Sequence, residues 1–200
     1  MSLLTTPTLI QLYNNILQPN AHEHHSKTFW THLLRTKFFP EDDFVIATES
    51  PPTPLPQDSL RRVDFHISIF NRLQKLQIIA ICEIKKATGS IDEVEAQLQQ
   101  ACQACVTYTK EDVWGIAVRG TKAEILQYTA NNRYFSLTDG YMDANLPQAN
   151  KLHDVLLSIK TKMSQPAASS SATPDGWYDA NDGTGRKRYF RNGAWTNSYH

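Results

Sequence analysis

The chain has 200 residues, 40% of them hydrophobic and 10% aromatic, enough to bury one ordinary core with a short appendage to spare. Twenty Lys and Arg balance twenty Asp and Glu, so no global positive field draws the chain to nucleic acid, and any such contact must come from a local patch. The opening MSLLTTPTLIQLYNN has neither a basic leader nor a small-residue cleavage site, and no apolar run approaches membrane-spanning length; the expectation is an intracellular protein, cytoplasmic or nuclear, with no signal peptide and no membrane partner.

Apolar residues at helical spacing from Leu9 to Leu17, then at Phe29, Leu33 and Leu34, predict two N-terminal helices separated by a polar loop, AHEHHS at 21–26. His22, Glu23, His24 and His25 have the composition of metal ligands, but adjacent side chains diverge and no second cluster answers them, which leaves the loop role. Phe44 to Thr48 predicts a first strand, stopped near Glu49 by SPPTPLPQD, whose prolines lack the amide hydrogen a ladder needs. Arg61 to Phe70 alternates with Val63, Phe65, Ile67 and Ile69 on one face, and Leu76 to Ile84 is rich in β-branched residues. Together they predict a hairpin about the polar turn NRLQK.

Thr88 and Gly89 break the second arm, and Ser90 with Glu93 makes a capping box for a helix. The helix carries the stripe Val94, Leu98, Ala101, Cys105 and Tyr108 and ends near Lys110. Val113 to Val118 and Glu124 to Tyr128 predict a second hairpin about Arg119-Gly120-Thr121-Lys122. Tyr134 to Leu137 predicts a further strand, and Pro147 to Met163 a closing helix. This order implies an α/β (α+β) domain over 1–163, a mixed sheet flanked by helices. Three cysteines, Cys82, Cys102 and Cys105, form no disulfide framework, and the C-x-x-C falls within a helix without a partner pair for zinc; reduced core thiols are expected.

Residues 164–174 have the Ser, Ala and Pro content of a flexible linker, and 175–200 concentrate Trp177, Tyr178, Tyr189, Phe190 and Trp195 around a Gly-rich turn, which predicts a small two- or three-stranded unit.

A turn centred between Leu73 and Gln74 sets Asp64 directly opposite Glu83. Like charges so placed are destabilising unless compensated, and a divalent cation would compensate them. Mg²⁺ prefers oxygen donors and keeps several waters, so the two carboxylates with the main-chain carbonyl of Ile84 make a plausible set. Lys85 shares the face of Glu83 by the strand period of two, where its ammonium would stabilise charge on an attacked phosphate.

Val63-Asp64, then Cys82-Glu83-Ile84-Lys85 on the next strand, then an amphipathic helix, resembles the D…E-x-K core of PD-(D/E)XK nucleases over roughly residues 10–163, with Val63 where the strictest pattern has proline. The resemblance implies a restriction-endonuclease-like fold. It also implies Mg²⁺- or Mn²⁺-dependent hydrolysis of DNA or RNA, in which Asp64 and Glu83 ligate the metal and Lys85 activates water. A further carboxylate, Glu49 or Glu23, would assist, and Gln97 or Gln100 could act as a helper glutamine; dimerisation is possible. The alternative is a catalytically inactive nuclease-like fold that binds nucleic acid or protein. The tail resembles short GWY…RYW…WT modules and, more loosely, a WW domain without its characteristic proline. That implies a partner surface at Trp177, Tyr189 and Trp195, with basic residues that could touch nucleic acid; in a third reading this surface carries the whole function and the main domain is scaffold.

Overall fold

Thr6 and Pro7 start the first helix, α1 (Pro7–Ile16): the Thr6 hydroxyl accepts the Leu9 N–H at 3.2 Å, and proline at the first helical position sacrifices no hydrogen bond. The computed structural model describes residues 2–40, 43–55, 62–71, 75–131, 133–145, 147, 149–164, 176–179, 187–191 and 194–199. Two compact units result, Met1–Lys162 and Met163–His200. The predicted linker lies outside the described residues except for Ser164.

The segment expected to be a loop, 21–26, instead supplies the first turn of α2 (Glu23–Leu33). His22 caps it, and the His25 ring nitrogen takes the His22 N–H at 3.0 Å, so the turn closes on polar contacts that apolar periodicity does not register. The helix continues as a π-helical turn, Leu34–Phe38, in which the Phe39 N–H reaches back to the Leu34 carbonyl at 2.7 Å. Phe38 and Phe39 are both buried in this segment.

The sheet follows. Strands β1 (Val45–Ser50), β2 (Val63–Phe70) and β3 (Leu76–Lys85) form an antiparallel meander. Helix α3 (Ile91–Thr109) then crosses over to β4 (Val113–Arg119), which lies parallel to β3. Strands β5 (Lys122–Tyr128) and β6 (Tyr134–Ser136) continue antiparallel, giving the order β1-β2-β3-β4-β5-β6. A two-residue strand too short to show a pattern, β7 (Met142–Asp143), also pairs with β5. Helix α4 (Ala149–Ser164) closes the unit, two residues later than proline alone suggests. The result is a mixed α/β fold, a seven-stranded sheet with helices.

Every residue from Val113 to Val118 is buried, so both faces of β4 are covered. Helix α3 takes the face of Gly115, where an added Cβ would meet Leu98 and Tyr128 at 3.0 Å. Val94, Leu98 and Val106 are buried there among Ile81, Ala117 and Leu126, each worth roughly 1.5–3 kcal/mol of burial. On α2, which packs on β3, the Trp30 indole N–H donates to the Gly120 carbonyl at 2.9 Å. No helix among the described residues is long and apolar enough to cross a membrane.

The C-terminal unit is an antiparallel sheet ordered β10-β9-β8, from β8 (Gly176–Asp179), β9 (Lys187–Arg191) and β10 (Ala194–Tyr199). Trp177 pairs with Tyr189 across the ladder, their ring centroids 5.0 Å apart, and Trp177 is exposed. Trp195 pairs in register with Phe190.

Candidate active site

The β2–β3 ladder decides whether the two carboxylates meet. At the hairpin tip the Asn71 N–H donates to the Lys75 carbonyl, leaving three residues between them rather than the two expected. Phe70 pairs with Leu76 and Ser68 with Ile78 in that register. A bulge then intervenes, and beyond it Ile67 pairs with Ala80, His66 with Ile81 and Phe65 with Cys82. Carried one step past the last pair, this register would set Asp64 against Glu83, through a different turn and one extra residue, Ile79. The two carboxyl groups are near enough to interact by charge and by hydrogen bond.

Asp64 is held from two sides. Its Oδ2 accepts the Ile84 N–H at 2.7 Å, and its Oδ1 accepts from the Lys27 ammonium at 3.2 Å. A strand residue's N–H and C=O leave on the same side, so the Ile84 carbonyl also faces the β2 edge, beyond the Phe65–Cys82 pair. Glu83 is only 7% exposed. Burial, and then the neighbouring Asp64 charge, push its carboxyl up to about 8, with Lys85 and Lys27 acting in the opposite sense. Lys85 lies 3.0 Å from Glu93 Oε1. Burial lowers its affinity for the proton, but the carboxylates of Glu93, Glu23 and Asp64 outweigh this and hold the ammonium above its ordinary value.

These groups share one cleft of about 390 Å³, lined by Glu23, Arg62, Asp64, Glu83, Lys85, Gln97 and Gln100. Glu23 enters from α2, while Gln97 and Gln100 come from α3. Glu49, the other candidate carboxylate, is joined to Asp64 through the Lys27 ammonium that both accept from, but it does not line this cleft. Its backbone has φ 51°, its side chain pairs with Lys27, and it lines a separate cleft with His24, Thr28 and Thr31. Lys27 was not anticipated. It follows Glu23 by four residues on one helix face, a relation visible only once 22–26 is read as helix. Trp177, Tyr189 and Trp195 belong to the other unit.

Among the described residues no group of three or more His, Cys, Asp or Glu side chains is gathered to hold a metal ion. The donor set in the cleft is two facing carboxyl groups with Glu23 on the same lining, all oxygen. Burial, and then the Asp64 charge, favour the protonated form of Glu83 over the pull of Lys85 and Lys27. Such a set suits a hard cation that retains most of its waters. The three thiols lie outside this lining: Cys82, Cys102 and Cys105 are free and buried, and burial pushes all three up, Cys105 to about 11. Compared with protein-family models, curated proteins and solved structures, the chain matches none.

Proposed function

We propose that the first unit is a metal-dependent phosphodiesterase of PD-(D/E)XK type acting on DNA or RNA, with Mg²⁺ or Mn²⁺ held by Asp64, Glu83 and the Ile84 carbonyl. The observation that carries this reading is the facing Asp64–Glu83 pair in one cleft with Lys85. The cation, when bound, would supply Lewis-acid stabilisation of the charge that develops on a phosphodiester. Asp64 is already oriented for this by the Ile84 N–H, and Glu83 gives up its proton when compensating charge arrives.

Lys85 acts as an ammonium rather than as a base, because the carboxylates around it keep it protonated. Exchanging Glu93 for a phosphate oxygen would make it a charge-assisted donor to the reacting group. Gln97 and Gln100 offer neutral donors on the same wall. The exposed Trp177 against Tyr189 in the C-terminal unit is the surface we assign to a protein partner.

A second reading, binding without cleavage, draws support from the ion pairs Lys27–Asp64 and Lys85–Glu93, which occupy the same groups within the protein. Calorimetric titration of Mg²⁺ and Mn²⁺ into the native protein and Glu83→Ala, with cleavage assays of native and Asp64→Ala proteins on a panel of DNA and RNA, separates the two. Cation binding and cleavage lost together in the variants support the enzyme. Strand binding without cation uptake or cleavage supports the silent fold.

A further inference from the structure

A second cleft, of about 370 Å³, opens beside the first and is lined by Ala87, Ile91, Arg119, Thr121, Lys122 and Tyr141. Its position is fixed by the sheet. Arg119 ends β4 and pairs in register with Lys85 of the parallel strand β3, so the two cationic side chains leave the same face one strand apart, about 4.8 Å. The floor is rigid: the Gly120 N–H donates to the Lys85 carbonyl at 2.9 Å. Gly120 has φ 61°, and an added Cβ would lie 2.8 Å from that of Ala87.

One guanidinium donor of the lining is orphaned. Arg119 Nε is buried and has no hydrogen-bond acceptor, and Arg119 and Lys122 form no ion pair within the described residues. The Tyr141 hydroxyl is buried beside Glu95, its hydrogen-bonding neighbour, and Glu124; both carboxylates raise its affinity for the proton, and neither lines the cleft. A guanidinium has five N–H donors and no acceptor, and buried donors of this kind are normally satisfied. Lys122 is exposed at the mouth. Two cations, Arg119 and Lys122, thus converge on a cavity next to the Asp64–Glu83 cleft.

We propose that this second cleft binds a backbone phosphate of the nucleic-acid strand, neighbouring the phosphodiester presented to Asp64, Glu83 and Lys85. The proposal rests on the phosphodiesterase reading for the identity of the ligand. Arg119 grips the phosphate, and Lys122 contributes charge from the rim. The site reads no base, so it positions strands of any sequence.

The test uses the full chain and a fluorescein-labelled oligothymidylate, followed by anisotropy over a range of salt with Ca²⁺ in place of Mg²⁺. Native protein, Lys122→Gln, Arg119→Gln and Arg119→Lys are compared, with thermal melts to show that each is folded. The expected result is several-fold weaker binding for Lys122→Gln and about tenfold for Arg119→Gln. Each loses about 0.7 from the slope of log affinity against log salt, while Arg119→Lys keeps the slope. Lys122 is exposed, so its variant reports even if Arg119→Gln fails to fold. Unchanged affinity and slope in both neutral variants overturn the phosphate subsite. So does failure of the native protein to bind the strand, or protection by inorganic phosphate with no Arg119 dependence of strand binding. Cleavage by native protein in Mn²⁺ decides the phosphodiesterase reading separately: cleaving protein with unaltered variants loses only the subsite, and non-cleaving protein with weakened variants loses only the chemistry.

Discussion

Glu83 makes the acid–base state of the cleft measurable. Its carboxyl titrates near 8 in the folded chain against 4.5 for an ordinary glutamate, so between those values the native state binds more protons than the unfolded one. Stability in a chelator should therefore fall as pH rises from about 4.5 through 8, by at most about 1.4 kcal/mol per unit. Glu83→Gln, which carries no charge, should flatten that slope in urea titrations at several pH values. Uptake of a divalent cation at pH 7 should release about one proton per ion, read from calorimetry in buffers of different ionisation enthalpy. A Lys85→Met variant should keep cation affinity while losing about a hundredfold or more in turnover, because its ammonium acts on the reacting phosphate and not on the ion. Asp143 is a structural counterpart: it accepts from Tyr13 at 3.0 Å, Thr121 at 2.6 Å and the Asn145 N–H at 2.9 Å.

Helix α3 is the element on which the site leans, and its two ends differ in quality. Ser90 caps the start by accepting the Glu93 N–H at 3.2 Å, one half of the capping box expected there, while the Glu93 carboxylate accepts from Lys85 and Gln97. Lys110 caps the end with φ 61°, a left-handed conformation that glycine adopts without a Cβ penalty. Lys110→Gly should stabilise the fold by about 0.5–1 kcal/mol in denaturant titrations, and Gly115→Val should destabilise it by about 1–3 kcal/mol through overpacking against Leu98. The strongly patterned elements were legible in the sequence: the alternation of Val63 to Phe70, the stripe from Val94 to Cys105 and the hairpin about Gly120. The start of α2 was not, because its first turn is closed by histidine contacts. Glu23 could be named only beside Glu49, since nothing in the order of residues says that Glu49 turns to Lys27. The second cleft was invisible for a different reason. Arg119 and Lys85 become neighbours only through a parallel crossover, which no local pattern encodes.

For the whole molecule, zero net charge limits what strand binding can be. The cations lining the two clefts are Arg62, Lys85, Arg119 and Lys122. A slope of log affinity against log salt no steeper than about −3 is expected for a single strand. All the residues of both clefts lie in Met1–Lys162. Removal of 163–200 should leave the calorimetric cation titration unchanged, and any change in partner capture would belong to the strands around Trp177.

The bulge at Ile79 has a consequence for how this hairpin tolerates change in length. Ladder pairs on its tip side and on its site side run in different registers, so the bulge behaves like a slip joint between them. Adding or removing a residue at the tip can be taken up there by the outer pairs Ser68–Ile78 to Phe70–Leu76, while Phe65–Cys82 stays locked between β1 and β4. The two carboxylates are thereby insulated from drift in loop size, and the aim of the site is set by the interior of the sheet rather than by its turn.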